Sequence, residues 1–367
     1  MKVAFDHQIF AMQRYGGVSR YFFELASRLT AHGVSEVSVV APLYINNYLA
    51  ADSARRFTRG RYANGPPYTF RGISVVPVVN RLAAPLALRG ANPDIVHETY
   101  FAIKPVGRAR RRAVTVYDMI HELFAEEFPD AAQVTAAKRA AVNRADHVIC
   151  ISENTQRDLV RLFGIDPART SVVHLGYSMT TEKNAAKEDV GARRPSLLYV
   201  GHRGGYKNFK TLLQAYGNSS ILREFELIAF GGAPLSPDEQ NEIRRLAITD
   251  RVRFESGTDR ELAARYRAAA AFIYPSMYEG FGIPPLEAMS HGCPVVCSDA
   301  GSIPEVVGDA GAYFDPNNVE DLRTALEHVA TTETLQADLR RRGYARLNAF
   351  SWDRCAAATA QIYREII

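Results

Sequence analysis

Cysteine is rare in this chain, with four residues in 367, and the excess of positive charge is only +4. Cys150, Cys293, Cys297 and Cys355 stand in apolar surroundings without metal-ligand spacing. Buried free thiols in a reducing compartment are therefore expected, with no disulfide and no structural zinc. So small a charge excess makes no case for a nucleic-acid partner. Apolar runs are short as well: none reaches the roughly 18 residues needed to span a bilayer. The opening Met-Lys-Val-Ala-Phe-Asp reads as a first strand and not as a leader peptide, so a cytoplasmic protein is expected. No short repeat is present, which argues against a solenoid.

The positive charge that exists is unevenly spread. Arg55, Arg56, Arg59 and Arg61 form one run, Arg108, Arg110, Arg111 and Arg112 a second, and Arg340, Arg341 and Arg342 a third. Solvated loops are the ordinary reading. The other is a face that meets anionic lipid headgroups, which would hold the protein peripherally at the inner face of the cytoplasmic membrane.

A hydrophobic content of 47% with 23% charged residues is that of a globular protein. At about 150 residues per domain the length suggests two domains. In the first half, strands are expected at 2–5, 37–41, 73–79, 94–97, 113–117, 147–151 and 171–174, with a helix over 18–32 on the spacing of Val18, Tyr21, Phe22, Leu25 and Leu29. Residues 42–71, rich in aromatics and arginine, read as one long irregular loop of the kind that usually serves function. The alternation restarts with strands at 196–200, 225–230, 251–255, 271–274, 294–298 and 312–314. Strands alternating with helices predict an α/β fold of two doubly wound, Rossmann-like parallel-sheet domains. The boundaries fall at 1–178 and 196–351, with a polar connection over 179–195.

The densest chemistry lies at Tyr-Pro-Ser-Met-Tyr-Glu-Gly-Phe-Gly-Ile-Pro-Pro-Leu-Glu, residues 274–287, where Glu279 and Glu287 are separated by seven residues around a Gly280-Phe281-Gly282 turn. Glycine lets backbone approach a ligand, and Pro284 or Pro285 suits a first helical turn. Free N–H groups at the start of that helix are expected to face the ligand, and two acceptor-only carboxylates suit vicinal diols, as in sugars and riboses. A second motif, Val200-Gly-His-Arg-Gly-Gly-Tyr-Lys-Asn, leaves a strand through a glycine-rich turn, so that Arg203 and Lys207 can meet phosphate oxygens at the strand's carboxyl end.

The 274–315 segment resembles the E-x7-E signature of retaining glycosyltransferases of family 4, and the likeness continues through His291 to Glu305. The resemblance implies the GT-B architecture: two Rossmann-like domains facing a cleft, with a last helix near 352–367 crossing back onto the first domain. It also implies roles. Glu279, with Gly280, Phe281 and Gly282, would hold the donor sugar; Glu287 would hold the ribose; Arg203 and Lys207 would hold the diphosphate. Many relatives have Arg directly after the first glycine of that turn, where this chain has His202. Gly16 and Gly17, in Tyr-Gly-Gly-Val-Ser-Arg-Tyr-Phe, are similar to the family's N-terminal glycine loop, with Arg20 one turn further on as its support.

Asp94-Ile-Val-His97-Glu-Thr-Tyr100 reads as a buried strand ending in a polar cluster at a sheet's carboxyl edge. The resemblance makes His97 the first catalytic candidate there, followed by Asp118 and His121; Tyr100 and Arg20 are expected on the acceptor side. Where many relatives show His-Asp, this chain has Tyr117-Asp118. Ser152 is expected to cap a helix, with Glu153 as a weaker contact.

The function expected is transfer of a hexose of mannose or rhamnose type, with retention and without a metal, from a nucleotide sugar, a GDP-sugar being favoured. The acceptor would be a glycan or lipid-linked oligosaccharide of surface polysaccharide assembly. No Asp-x-Asp stands at a strand end, which favours cationic side chains and amides over a divalent ion. No cofactor is called for beyond the nucleotide sugar. The alternatives are a sugar-nucleotide epimerase of the same fold, which would need further acid–base residues, and a non-catalytic sugar-nucleotide or glycan binder.

Overall fold

The computed structural model describes residues 1–63, 69–70, 73–177 and 195–367. The expected connection falls outside them apart from Pro195, as does Tyr68 of the 42–71 segment. Two compact units are present: Met1–Gly176 with Ser351–Ile367, and Tyr177–Phe350.

The sheet of the first unit comprises β1 (Lys2–Phe5), β2 (Glu36–Tyr44), β3 (Thr58–Tyr62), β4 (Ile95–Glu98), β5 (Arg111–Val116), β6 (His147–Cys150) and β7 (Thr170–Val172). Its order is β3-β2-β1-β4-β5-β6-β7, parallel throughout. Phe5 of β1 stands opposite both Val39 and His97. The strands are near-continuous apolar runs because helices cover both faces, and Val114, Val116, Val142, Val148 and Leu159 form one of the resulting cores.

The sheet of the second unit comprises β8 (Ser196–Val200), β9 (Glu226–Phe230), β10 (Val252–Glu255), β11 (Ala269–Tyr274), β12 (Val295–Ser298) and β13 (Gly311–Phe314). Its order, β10-β9-β8-β11-β12-β13, is also parallel. In each sheet the chain runs outward from a central strand, returns, and runs out on the other side. The strand order therefore reverses between β1 and β4 and again between β8 and β11, which are the places where open α/β sheets bind ligands.

Two expectations fail, both in the first unit. The strand expected over 73–79 is a strand only at Ile73–Ser74; Val76–Ala91 is a helix. The β-branched run Val75, Val76, Val78 and Val79 suggested a strand, yet Val76, Asn80, Ala84 and Leu88 are the residues buried, at helical spacing. Packing overrides propensity here. Buried Asn80 fixes the helix by accepting from the Leu43 N–H at 2.9 Å and donating to the Leu43 carbonyl at 2.8 Å.

Nor is 42–71 one irregular loop. β2 runs on to Tyr44, Asn46 caps a short helix over Asn47–Ala50, and β3 pairs with β2 as the edge strand. Of the aromatics in this segment, Tyr44 and Phe57 are buried and Tyr48 stacks on Phe23.

The last helix, Trp352–Glu365, belongs to the first unit, as expected. Buried Tyr363 reaches His97, and Gly176 passes so close that a Cβ there would stand 2.2 Å from the Trp352 nitrogen.

Candidate active site

Two loops meet at the reversal point of the second sheet. One follows β8 from Gly201 to Asn208; the other follows β11 from Pro275 to Gly282 and opens the Ile283–Ser290 helix. Asn208 stitches them, donating to the carbonyls of Pro275 at 3.1 Å and Pro316 at 2.8 Å, while the Met277 N–H donates to the Tyr206 carbonyl at 2.7 Å. Lys207 is thereby delivered to Glu279, with Nζ to Oε1 at 2.6 Å and side chains 21% and 10% exposed. The ammonium also lies 5.1 Å from the ring centre of Tyr206 and 6.0 Å from that of Tyr274. Burial first, and then the Glu279 charge, hold the Tyr274 phenol well above its ordinary pKa, so its hydroxyl stays protonated as a donor to Glu279.

The Glu279 loop is held from behind. Ser302 Oγ donates to the carbonyls of Glu279 at 2.9 Å and Phe281 at 2.8 Å. Gly301, at φ +62°, passes the loop so closely that a Cβ would stand 3.0 Å from the Glu279 nitrogen. Gly282, at φ +112°, starts the helix in a conformation that a side chain would oppose. Glu287 is the fifth residue of that helix; with burial the larger cause, its charge helps hold the Tyr266 phenol well above its ordinary pKa. Few backbone donors stand at this helix start. Pro284 and Pro285 carry no N–H, which leaves Gly282 and Ile283 as the backbone donors at the turn. Gly280 and Phe281 are buried, and the Phe281 ring sits edge-on to Phe350 at 5.6 Å.

Arg203 does not join Lys207. Its Nε donates to Glu239 at 3.0 Å, its two terminal nitrogens to the carbonyls of Gly231 and Ala233, and its plane lies 5.3 Å from the Phe254 ring centre. With the side chain 4% exposed, the guanidinium is turned into the unit as a structural clamp. The reason is the one-residue offset already visible in the sequence: His202 occupies the place after Gly201, it is exposed, and Arg203 falls on the inner side of the turn.

At the reversal point of the first sheet the arrangement is closed. His97 is fully buried; Nδ1 meets the Tyr363 hydroxyl at 2.6 Å and Nε2 the Thr115 hydroxyl at 2.9 Å. Burial lowers its pKa to about 3. A histidine with both nitrogens engaged inside the core positions the last helix, and this placement replaces the expectation of a strand-end group beside the reacting atoms. Asp118 is part exposed and accepts from the Ile120 N–H at 3.1 Å; the buried Lys138 ammonium is 3.9 Å from its carboxylate and 2.7 Å from that of Glu122. His121 lies against Phe128 and faces a 350 Å³ cavity lined by Thr135, Arg139 and Phe163. No hydrogen bond or ion pair joins His97, Asp118 and His121 among the described residues.

The glycine loop is ordered by its own helix start, the Gly16 carbonyl accepting from Ser19 Oγ and the Arg20 N–H. Arg20 lies 3.9 Å from Glu24, and Gly17 is exposed with open space where a Cβ would be. The Tyr100 phenol is pushed up by burial and by the charges of Asp118 and Asp130. Ser152 caps the Glu153–Phe163 helix by accepting from the Thr155 N–H.

Two further residues of this edge had no role assigned from the sequence. Asp6, fully buried at the end of β1, accepts from Thr99 Oγ1 at 2.6 Å, the Thr99 N–H at 3.1 Å and Gln8 Nε2 at 2.8 Å. The buried Tyr117 hydroxyl has no partner among the described residues. A single Asp following a first strand was the only signal for the former; the latter was visible as the residue standing where many relatives show His, with no role assigned to its hydroxyl. Among the described residues no three His, Cys, Asp or Glu side chains gather as a metal site requires, and no helix is long and apolar enough to cross a membrane.

Each unit matches a known family: residues 15–180 match Glycosyltransferase Family 4, and residues 180–346 match Glycosyl transferases group 1. The chain belongs to the family-4 glycosyltransferases of GT-B fold. It is 30% identical over 301 residues to the O-antigen chain mannosyltransferase B of Escherichia coli, an alignment covering 76% of each chain. With the D-inositol 3-phosphate glycosyltransferase of Streptomyces bingchenggensis it shares 28% identity over 388 residues, 95% of this chain and 85% of that one. The Anabaena protein HepE, solved in complex with UDP and glucose, superposes over 100% of both chains with a TM-score of 0.72 at 18% identity, which shows the fold.

Proposed function

We propose that this glycosyltransferase moves a mannose-type hexose from a GDP-sugar to a hydroxyl of a glycan or lipid-linked oligosaccharide, with retention of anomeric configuration and without a metal ion. The observation that carries the proposal is the Lys207–Glu279 pair, held at 2.6 Å at the sheet reversal point of the second unit. Lys207 supplies positive charge where the departing diphosphate gains negative charge, and Glu279 accepts hydrogen bonds from sugar hydroxyls. Glu287 takes the ribose diol, and the N–H groups of Gly282 and Ile283 add neutral donors. The bond between the anomeric carbon and the diphosphate breaks as the acceptor oxygen bonds to that carbon on the same face. The acceptor proton passes to the departing phosphate oxygen, so no protein nucleophile is needed.

The likeness to an O-antigen chain mannosyltransferase supports the choice of sugar and of a surface-polysaccharide acceptor. A UDP-sugar is the second reading, favoured by the UDP complex of HepE. A thermal-shift panel of GDP, UDP, ADP and TDP followed by the matching sugar nucleotides decides between them, because a ligand of the folded state raises stability with the logarithm of its concentration over Kd. Product NMR reports the anomeric outcome. GDP-mannose turnover that survives chelator is expected; loss in chelator with recovery in manganese would end the metal-free reading, and an isomerised donor formed without acceptor would favour the epimerase.

A further inference from the structure

The Val76–Ala91 helix is apolar on both sides. Its inner face packs on β2 through Val76, Asn80, Ala84 and Leu88, and the Asn80 clamp on Leu43 sets its rotation. What that rotation turns outward is a second apolar row. Val78, Leu82 and Leu86 recur every fourth residue and are 61%, 70% and 71% exposed. Eight residues of helix make this row roughly 12 Å long. An exposed helix face of this kind, on a unit that already has its core, calls for something to cover it.

Its surroundings carry one sign of charge. The helix contains Arg81 and Arg89 and no acidic residue. Beside it runs the 103–110 segment, close enough that a Cβ on Gly107 would stand 3.3 Å from Pro85 Cα and 3.5 Å from Leu88 Cδ1. That segment adds exposed Ile103 together with exposed Lys104, Arg108 and Arg110. None of these five cations has an ion pair among the described residues. The other arginines that the sequence picked out are mostly tied: Arg59 to Glu36, Arg111 to Asp146, Arg112 to Glu98, and Arg341 to Asp338.

We propose that the outer face of the Val76–Ala91 helix, with the adjoining 103–110 segment, is a docking surface for an anionic lipid bilayer, the leucines entering the headgroup boundary and the five cations meeting lipid phosphates. Charge decides between occupants. In a two-fold dimer this patch would meet its own copy and set five cations against five more, whereas anionic headgroups complement them. The surface is independent of which sugar is transferred, since none of its residues belongs to the active site.

The test is sedimentation of the full chain with sucrose-loaded vesicles of phosphatidylglycerol and phosphatidylethanolamine in equal parts, against vesicles of phosphatidylcholine. The anionic vesicles are expected to bind at least tenfold more tightly, with binding falling as salt rises. The double variant Leu82→Gln with Leu86→Gln is expected to lose at least tenfold in affinity while its melting temperature stays at the wild-type value. The triple variant Arg89→Gln, Lys104→Gln, Arg108→Gln is expected to lose on the order of a hundredfold at low salt. Arg341→Gln with Arg342→Gln, on the other unit, should bind as wild type does. Equal binding to both vesicle types, wild-type binding by the leucine and charge variants, or a dimer in sedimentation velocity that the leucine variant dissolves would each overturn the proposal.

Discussion

The two sheets reverse their strand order in the same way and put different chemistry at the reversal. In the second unit the carboxyl ends of β8 and β11 present a part-exposed ion pair, Lys207 with Glu279, stitched in place by Asn208 and Ser302. In the first unit the ends of β1 and β4 present Asp6 and His97, fully buried and bonded inward to Thr99, Tyr363 and Thr115. A shared topology fixes where a site can be built. Whether charges are left facing a ligand depends on which partners the neighbouring helices bring.

The sharpest break of that comparison is at Lys207 and Glu279. Lys207→Ala or Glu279→Ala should lower kcat by on the order of 10²–10³-fold, as removal of one transition-state contact does. Steady-state kinetics with a sugar nucleotide measures it; turnover within threefold of wild type in both variants would remove the pair from the chemistry.

His97→Ala tests the opposite edge. Cutting the bonds to Tyr363 and Thr115 in a closed core should cost about 3 kcal/mol in urea unfolding, with kcat per folded molecule within a few-fold of wild type. Because the folded pKa is about 3, below the ordinary 6.5, the unfolded chain takes up the proton first as pH falls. Wild-type stability should therefore decline from about pH 6.5 downward by about 1.4 kcal/mol per pH step of one on account of this group. The decline continues toward the folded pKa, and unfolding curves of His97→Ala should lack that contribution.

Arg203→Met should cost about 2 kcal/mol of stability, since it leaves Glu239 and two carbonyls short of a donor, while nucleotide-diphosphate affinity by calorimetry changes less than threefold. A tenfold loss of affinity would return Arg203 to the phosphates. The smallest effect is expected from Tyr117→Phe. Removing a buried hydroxyl that has no partner among the described residues should leave the melting temperature unchanged or raise it by a few degrees, and a rise in KM for donor or acceptor would show that substrate is what the hydroxyl meets.

Local pattern carried much of this protein. Apart from β3, whose Thr-Arg-Gly-Arg-Tyr lacks an apolar run, the parallel strands were visible as short apolar runs between turn residues, and the Glu279–Glu287 spacing around glycine and proline marked the site because those residue types have few other reasons to stand together. Residues whose purpose is to hold a partner were less visible. Asn208 and Ser302 bond backbone carbonyls of loops far away in sequence, and no local signal announces a hydrogen bond that closes only on folding. The valine-rich 73–79 segment misled for a related reason: its intrinsic preference and its packed conformation differ, and packing against β2 is the stronger.

Residue type and spacing by themselves therefore determined the α/β class, the two-unit plan and the presence of a sugar-nucleotide motif, because periodicity and glycine–proline punctuation act within a few residues. Only the tertiary structure decided that Arg203 turns inward while Lys207 meets Glu279, that His97 is sealed beneath the last helix, and that Leu82 and Leu86 face outward. Each of those outcomes depends on a partner more than 30 positions away, and the competition between solvent and such a partner is settled only when the chain has closed around it.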